Sequence, residues 1–359
     1  MVHRGAHRGP MRSSNPTTIG WDLGGVHVKV ALVEDGRVAV AAQVPCPLWQ
    51  GLPALDRALE AAPDWARGAA LHAVTMTGEL TDCFADRRAG VAALAGWAGS
   101  HLAGTVRIYA GRSGFVAPEA AASRAADVAS ANWHATAALA GRHVPDALLI
   151  DIGSTTADLI PVAGGRPAAT GYSDAERLET GELVYTGAVR TPVIALSDHA
   201  PFAGRRTRLM TETFAHMADV YRILGLLPEG ADQQPSGDRK GKTVAESETR
   251  LARIVGRDRA EAPGAAWTAL AAHFAEAQLR LLHDAAAEIL SRPDLGADAP
   301  LVLCGAGAFV GARLAERLGR PSTPLAALLA DRIGDARDGI STCGPAVAVG
   351  LIAAEEAVA

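Results

Sequence analysis

Residues 147–162 read ALLIDIGSTTADLIPV, and residues 18–33 read TIGWDLGGVHVKVALV. Each is an apolar strand that ends on an aspartate, a turn of small or hydroxylated residues, and a second apolar strand. A third short apolar run follows each pair, after Asp35-Gly36 in one case and Gly164-Gly165 in the other. The two copies lie about 130 residues apart, which predicts two related lobes with both acidic turns in the cleft between them.

A glycine turn after a strand lets backbone N–H groups approach a phosphate closely. This makes Gly24 and Gly25 in the first turn, and Gly153, Ser154, Thr155 and Thr156 in the second, candidate phosphate-binding residues. Asp22 and Asp151 stand where a carboxylate can hold Mg²⁺, directly or through water, so both are candidate catalytic residues and metal ligands. Lys29 leaves the first turn on a strand and can aim its ammonium back at a phosphate; the competing role is a solvated strand lysine. Asp158 can orient water, metal or an attacking group. A late strand at 301–304 runs into Gly305-Ala306-Gly307-Ala308, adding Gly305 and Gly307 to the phosphate-binding set.

Around these turns the pattern predicts helices at 52–61, 85–97, 211–226, 247–255 and 265–290, and strands at 70–75 and 106–110. The expected division is a first lobe at 17–145 and a second, helix-rich lobe at 146–343, with a C-terminal helix at 344–359 returning to the first. Residues 1–16, basic and polar, read as a disordered tail without the apolar stretch of a secretory signal, and Met11 is an alternative start. Residues 228–242 have loop composition with both charge signs, which a plain surface loop also explains.

The composition narrows the function. With 39 acidic and 34 basic residues mixed along 359, the chain carries no extended basic field for nucleic acid. No apolar run reaches the ~20 residues of a membrane helix. The four cysteines are scattered, forming neither a zinc cluster nor a disulfide framework, so a reducing cytoplasmic compartment is expected. A homodimer stays open.

Together these motifs resemble the actin, Hsp70 and sugar-kinase superfamily, which implies a two-lobed α/β fold of the actin-like ATPase (ribonuclease H-like) type. Within it, MTGELTDCF (76–84), SANWHATA (130–137), GELVYTGAVRTPV (181–193), TETFAHMADVYRILG (211–225) and RLARIVGRD (250–258) are similar to hydantoinase/oxoprolinase-like proteins of tetrahydromethanopterin-linked C1 transfer. That resemblance spans residue 17 to the C-terminus. It implies a Mg²⁺-dependent transferase of methanofuran or methylofuran biosynthesis, whose partners are a small-molecule furan diphosphate and a phenolic acceptor such as γ-glutamyltyramine.

Glu79 and Asp219, each inside a subgroup motif, are the candidate bases, with helix capping as the competing role. Asp219, Arg190, Lys240 and Lys242 are the substrate-binding candidates, the cations through charge-assisted hydrogen bonds. His216 reads as structural, and Trp133, able to stack on an aromatic ring, as core. The superfamily also leaves two alternatives: an ATP-dependent kinase or amide hydrolase, and a nucleotide-dependent assembly protein, for which no peptide-binding or filament segment is seen.

Overall fold

The computed structural model describes residues 17–293, 295–333 and 339–358; the expected tail at 1–16 lies outside them. Six strands form the first sheet: β1 (Thr18–Leu23), β2 (His27–Glu34), β3 (Arg37–Pro45), β4 (Ala70–Met76), β5 (Gly104–Tyr109) and β6 (Phe115–Val116). Their order is β3-β2-β1-β4-β5-β6. The second sheet starts with β7 (Ala147–Ile152), β8 (Ala157–Ala163), β9 (Arg166–Pro167) and β10 (Leu183–Val184). A separate hairpin, β11 (His199–Phe202) and β12 (Arg205–Arg208), precedes β13 (Leu301–Cys304) and β14 (Ser322–Pro324), which complete the second sheet.

The duplication read from the two turns holds at the level of pairing. β1 runs antiparallel to β2 and parallel to β4, and β7 runs antiparallel to β8 and parallel to β13. Both sheets add a further parallel strand, β5 or β14. This is the expected actin-like ATPase fold.

Alternation along the strands sorts side chains to two faces. Ile19, Trp21 and Leu23 point outward, onto Leu55, Val91 and Leu94, while Leu148, Ile150 and Ile152 pack on the outer helices of the second lobe with Phe274 and Leu282. The opposite faces meet a shared central layer of two helices, Asn132–His143 and Gly344–Glu356, through Ala31, Val33, Ala73, Leu149, Val162 and Val302. Helix Gly344–Glu356 is buried from Gly344 through Ala354 and has no polar stripe, as a helix enclosed on all sides requires.

That helix approaches β1 so closely that a Cβ on Gly20 would stand 1.9 Å from Ala346 O and 2.8 Å from Gly350 N. Both obstacles are backbone and cannot rotate away. Gly20→Val should therefore cost about 3 kcal/mol or more of folding stability, read by denaturant unfolding. Gly96→Ala, where a Cβ meets nothing within 4 Å, should be neutral or stabilising. Equal midpoints for Gly20→Val and the parent would contradict this packing.

Two expectations change. The helix expected at 211–226 is confined to Met217–Ile223. Its leading half instead lies along the 189–193 segment, where Pro192 and His216 form an isolated bridge and Met217 N–H donates to Thr191 O at 2.9 Å, so backbone groups are satisfied without helix. The helix expected at 85–97 runs Arg87–His101, because the Asp86 side chain accepts Ala89 N–H at 2.7 Å and sets its start. The cysteines are all free: Cys46, Cys304 and Cys343 are buried and Cys83 is exposed. Among the described residues no helix is long and apolar enough to cross a membrane.

Candidate active site

The alternation that sends Trp21 outward turns Asp22 toward the other lobe, and on neighbouring strands it does the same for Lys29 and Thr75. Lys29 is the register partner of Asp22 on β2, and Thr75 its partner on β4. From the second sheet, Asp151 and its partner Asp158 face the same centre. Lys29 Nζ donates to Asp22 Oδ2 at 3.2 Å. Asp22 is only 2% exposed, and its Oδ1, like Thr75 Oγ1, is buried with no hydrogen-bond partner among the described residues.

Three buried carboxylates face this centre, and neighbouring charges and burial both act on such groups. Burial pushes Asp151 up to about 7, Asp158 and Asp22 add to the rise, and Lys29 opposes it. For Lys29, burial disfavours the charge, yet Asp22 and Asp151 together hold its pKa above the ordinary value. The ammonium is thus bound electrostatically to both lobes at once.

The glycine turns close around this cluster. Gly24 N–H donates to His27 O at 3.0 Å, and Gly25 packs on Thr81. The turn of Gly153 to Thr156 is closed by Gly153 N–H to Thr156 O at 2.8 Å and held from behind by Arg190 N–H donating to Ser154 O at 2.8 Å. The Ser154 and Thr155 hydroxyls lie 3.4 Å apart. Gly305 has φ +83°, and a Cβ there would stand 2.5 Å from Asp151 Oδ1. Gly307 N–H donates to Ile152 O at 2.7 Å. The late glycine turn therefore rests directly on Asp151.

One contributor was not read from sequence as part of the site. Helix Gly344–Glu356 begins beside β13, where a Cβ on Gly344 would come 2.3 Å from Cys304 Sγ, and Cys304 is the register partner of Asp151. Its N-terminal N–H groups and dipole favour an anion at this place. The apolar run of that helix advertised burial, whereas its direction became visible only in three dimensions.

Asp158 does not stand free. It pairs with the buried Arg177, which also donates to Asp174 Oδ1 at 2.9 Å and lies with its guanidinium 4.9 Å from the centre of the Trp133 ring. Asp158 is thereby a partner of Arg177 rather than an open ligand, and Trp133 is core, 1% exposed. Arg177, in a short polar helix Asp174–Glu179, offered no sequence signal of burial.

Asp174 ties the lobes together. It accepts Arg87 Nη2 at 3.0 Å and lies 3.2 Å from Ser130 Oγ, which in turn lies 2.8 Å from Glu79 Oε1. Glu79 is 1% exposed, its Oε2 has no partner among the described residues, and burial pushes it up to about 7. Ser130 has a single hydroxyl proton. Ionised Glu79 takes it; protonated Glu79 donates to Ser130, which then donates to Asp174. Ser130 holds this bridging position at φ +51°, a conformation a serine adopts at a cost.

The other expected residues are placed differently. Asp219 is fully engaged: Oδ1 accepts Arg250 Nε at 2.9 Å, Arg250 Nη2 at 2.7 Å and Ser247 Oγ at 2.8 Å, while Oδ2 accepts His216 N–H at 3.1 Å. It braces the second lobe and starts the helix Met217–Ile223, which leaves it no oxygen for a substrate. Lys242 is committed to Asp232 at 3.2 Å, and Lys240 is exposed. Arg190 is exposed, 5.8 Å from the centre of the Trp49 ring of the first lobe. The 228–242 loop is more than surface: Gln234 Nε2 donates across the lobes to Val26 O at 3.2 Å.

Among the described residues no group of three or more His, Cys, Asp or Glu could hold a metal ion. Mg²⁺ commonly needs only one or two carboxylates, the rest of its shell being water and substrate phosphate. Asp22, whose Oδ1 has no partner among the described residues, and Asp151 fit that requirement.

The model of the family described as hydantoinase/oxoprolinase matches residues 70–326. The (4-{4-[2-(gamma-L-glutamylamino)ethyl]phenoxymethyl}furan-2-yl)methanamine synthase of Methanocaldococcus jannaschii is 31% identical over 242 residues, covering 67% of this chain and 72% of that one. The protein of the same name from Methanococcus vannielii is 34% identical over 111 residues, 31% of this chain and 50% of that one. Among solved structures, nucleotide-free acetone carboxylase aligns with TM-score 0.50 at 11% identity, over 94% of this chain and 70% of its own, a likeness of fold alone. By the family match and the archaeal relatives together, the chain belongs to the hydantoinase/oxoprolinase family.

Proposed function

We propose that this enzyme is a transferase of methanofuran-type cofactor synthesis, joining an aminomethylfuran-methyl diphosphate to the phenolic oxygen of γ-glutamyltyramine or a related acceptor. The observation that carries the reading is the pairing of an anion-favouring centre, Lys29 beneath the start of helix Gly344–Glu356, with a separate buried carboxyl, Glu79, poised near neutrality. Support for the substrate class comes from the names of the relatives at 31% and 34% identity.

In the reaction, the bond from the furan methylene to the diphosphate oxygen breaks with its electron pair staying on the diphosphate. The phenol oxygen forms the new ether bond and its proton leaves. Lys29, the helix start and the Gly25, Ser154 and Thr155 amides stabilise charge on the departing diphosphate, the Gly24 and Gly153 amides being used to close their own turns. Mg²⁺, held by Asp22 and Asp151, would add Lewis-acid neutralisation of that charge. Glu79 accepts the phenol proton and shares it with Ser130 and Asp174. Asp158 and Arg177 keep the second turn in place.

The test is the pure protein with Mg²⁺, the furan diphosphate and γ-glutamyltyramine, with and without ATP. Equal formation of ether and diphosphate in both tubes is expected. No ether in either would overturn the reading. Ether only with ATP would favour the ATP-coupled alternative, which the Gly305–Gly307 turn against Asp151 suits equally well.

A further inference from the structure

His27 and Gln233 belong to opposite lobes, and neither was a site candidate in the sequence. His27 is 6% exposed and opens β2, two residues outward of Lys29 on the same central face. Its Nε2 is buried with no hydrogen-bond partner among the described residues, and so is Gln233 Oε1. Their chain neighbours meet, since Gln234 Nε2 donates to Val26 O at 3.2 Å, so both orphaned atoms lie along one seam between the lobes. Buried polar atoms are normally paired, because leaving one unmade costs about 1–3 kcal/mol. Two such atoms on one seam, outward of the carboxylate cluster, leave hydrogen-bonding capacity there for a polar group of a ligand.

From this seam we infer that His27 and Gln233 form the subsite that recognises the amide linkage of the acceptor, the Nε2–H of His27 donating to its carbonyl and Gln233 Oε1 accepting its N–H. This rests on the proposed transfer reaction. A secondary amide offers one acceptor and one donor side by side, the complement of this pair. Burial, with Lys29 and Arg190 adding to it and Asp232 opposing, pushes the imidazole down to about 4 and keeps it neutral, so it carries a proton to donate without adding charge. Arg190, exposed beside Trp49 at the rim, is placed for the carboxylate that lies beyond the amide. The 228–242 loop then acts as a specificity loop, pinned to the first lobe through Gln234 and braced by the Lys242–Asp232 pair.

The experiment compares γ-glutamyltyramine with tyramine, which has the phenol but no amide. The full-length parent, His27→Phe and Gln233→Leu are assayed for kcat/KM on both acceptors, and γ-glutamyltyramine alone is titrated calorimetrically into each. The parent should prefer the amide-bearing acceptor, and each variant should lose about 10–100-fold of that preference, through KM rather than kcat. Calorimetry should show a matching loss of affinity. An unchanged preference and unchanged affinity would overturn the subsite. Should His27→Phe fail to fold, Gln233→Leu, on a loop, decides alone. If the parent makes no ether yet binds γ-glutamyltyramine with an affinity the variants lose, the subsite stands and the transfer reaction falls.

Discussion

Asp22→Asn and Asp151→Asn each lower kcat by about 10³-fold or more while the chain stays folded. Both aspartates stand one residue before the end of a central strand, on the face that meets the other lobe, and Lys29 interacts with both. Asn keeps the shape and removes the charge, so what is lost is the electrostatic hold on Lys29 and the proposed hold on a metal. The Asp151 variant also carries a signature in stability. Its carboxyl titrates at about 7 in the fold, above the ordinary range, because burial disfavours the charge. A raised carboxyl supports folding fully below its unfolded pKa, and that support is lost as pH rises through the folded value. Asp151→Asn should therefore gain stability over the parent as pH rises from the ordinary carboxylate range to about 7 and keep that gain above it, read by thermal melts from pH 4 to 9. Near-parental rates in both variants would contradict the site.

Glu79→Gln is expected to remove about 10²–10⁴-fold of kcat and to abolish the pH dependence that the carboxyl confers. Burial is the main cause of its value near 7, with Ser130 opposing it through a hydrogen bond. As a base it must be ionised, so parental kcat should rise with pH through about 7 and level off. The variant should be flat across that window. Stability runs the other way, as for Asp151: the parent loses stability between the ordinary carboxylate range and about 7 and levels off above, so the melting advantage of Glu79→Gln over the parent should grow from pH 5 to 7 and hold at pH 8 despite slow turnover. Ser130→Ala tests the relay, since it strips Glu79 of its only hydrogen-bond donor among the described side chains. An acid limb that persists unchanged in Glu79→Gln would assign the base elsewhere.

Much of the site was legible because strand alternation is local. Asp22, Lys29, Asp151 and Asp158 could be set on one face of their sheets by counting residues from the apolar runs beside them. The Gly24-Gly25 and Gly153-Ser154 turns were readable for the same reason. What failed was assigning partners to charged groups on irregular segments. Asp219 looked like a free acid in a motif, but Arg250 arrives from 31 residues away and consumes it. Lys242 looked like a spare cation and is paired with Asp232. Arg177, in a polar stretch, carried no signal of burial and is 2% exposed.

The repeat of strand, acidic turn and strand determined the two-lobed fold and the identity of the cleft aspartates, because period-two burial and glycine turns are written in consecutive residues. Only the tertiary structure decided which charges remain available. Availability depends on residues that meet through space: Asp158 is taken by Arg177, Glu79 keeps an oxygen with no partner among the described residues beside Ser130, and His27 is brought to the seam shared with Gln233. Burial and pairing between lobes set those outcomes, and neither is a property of the local chain.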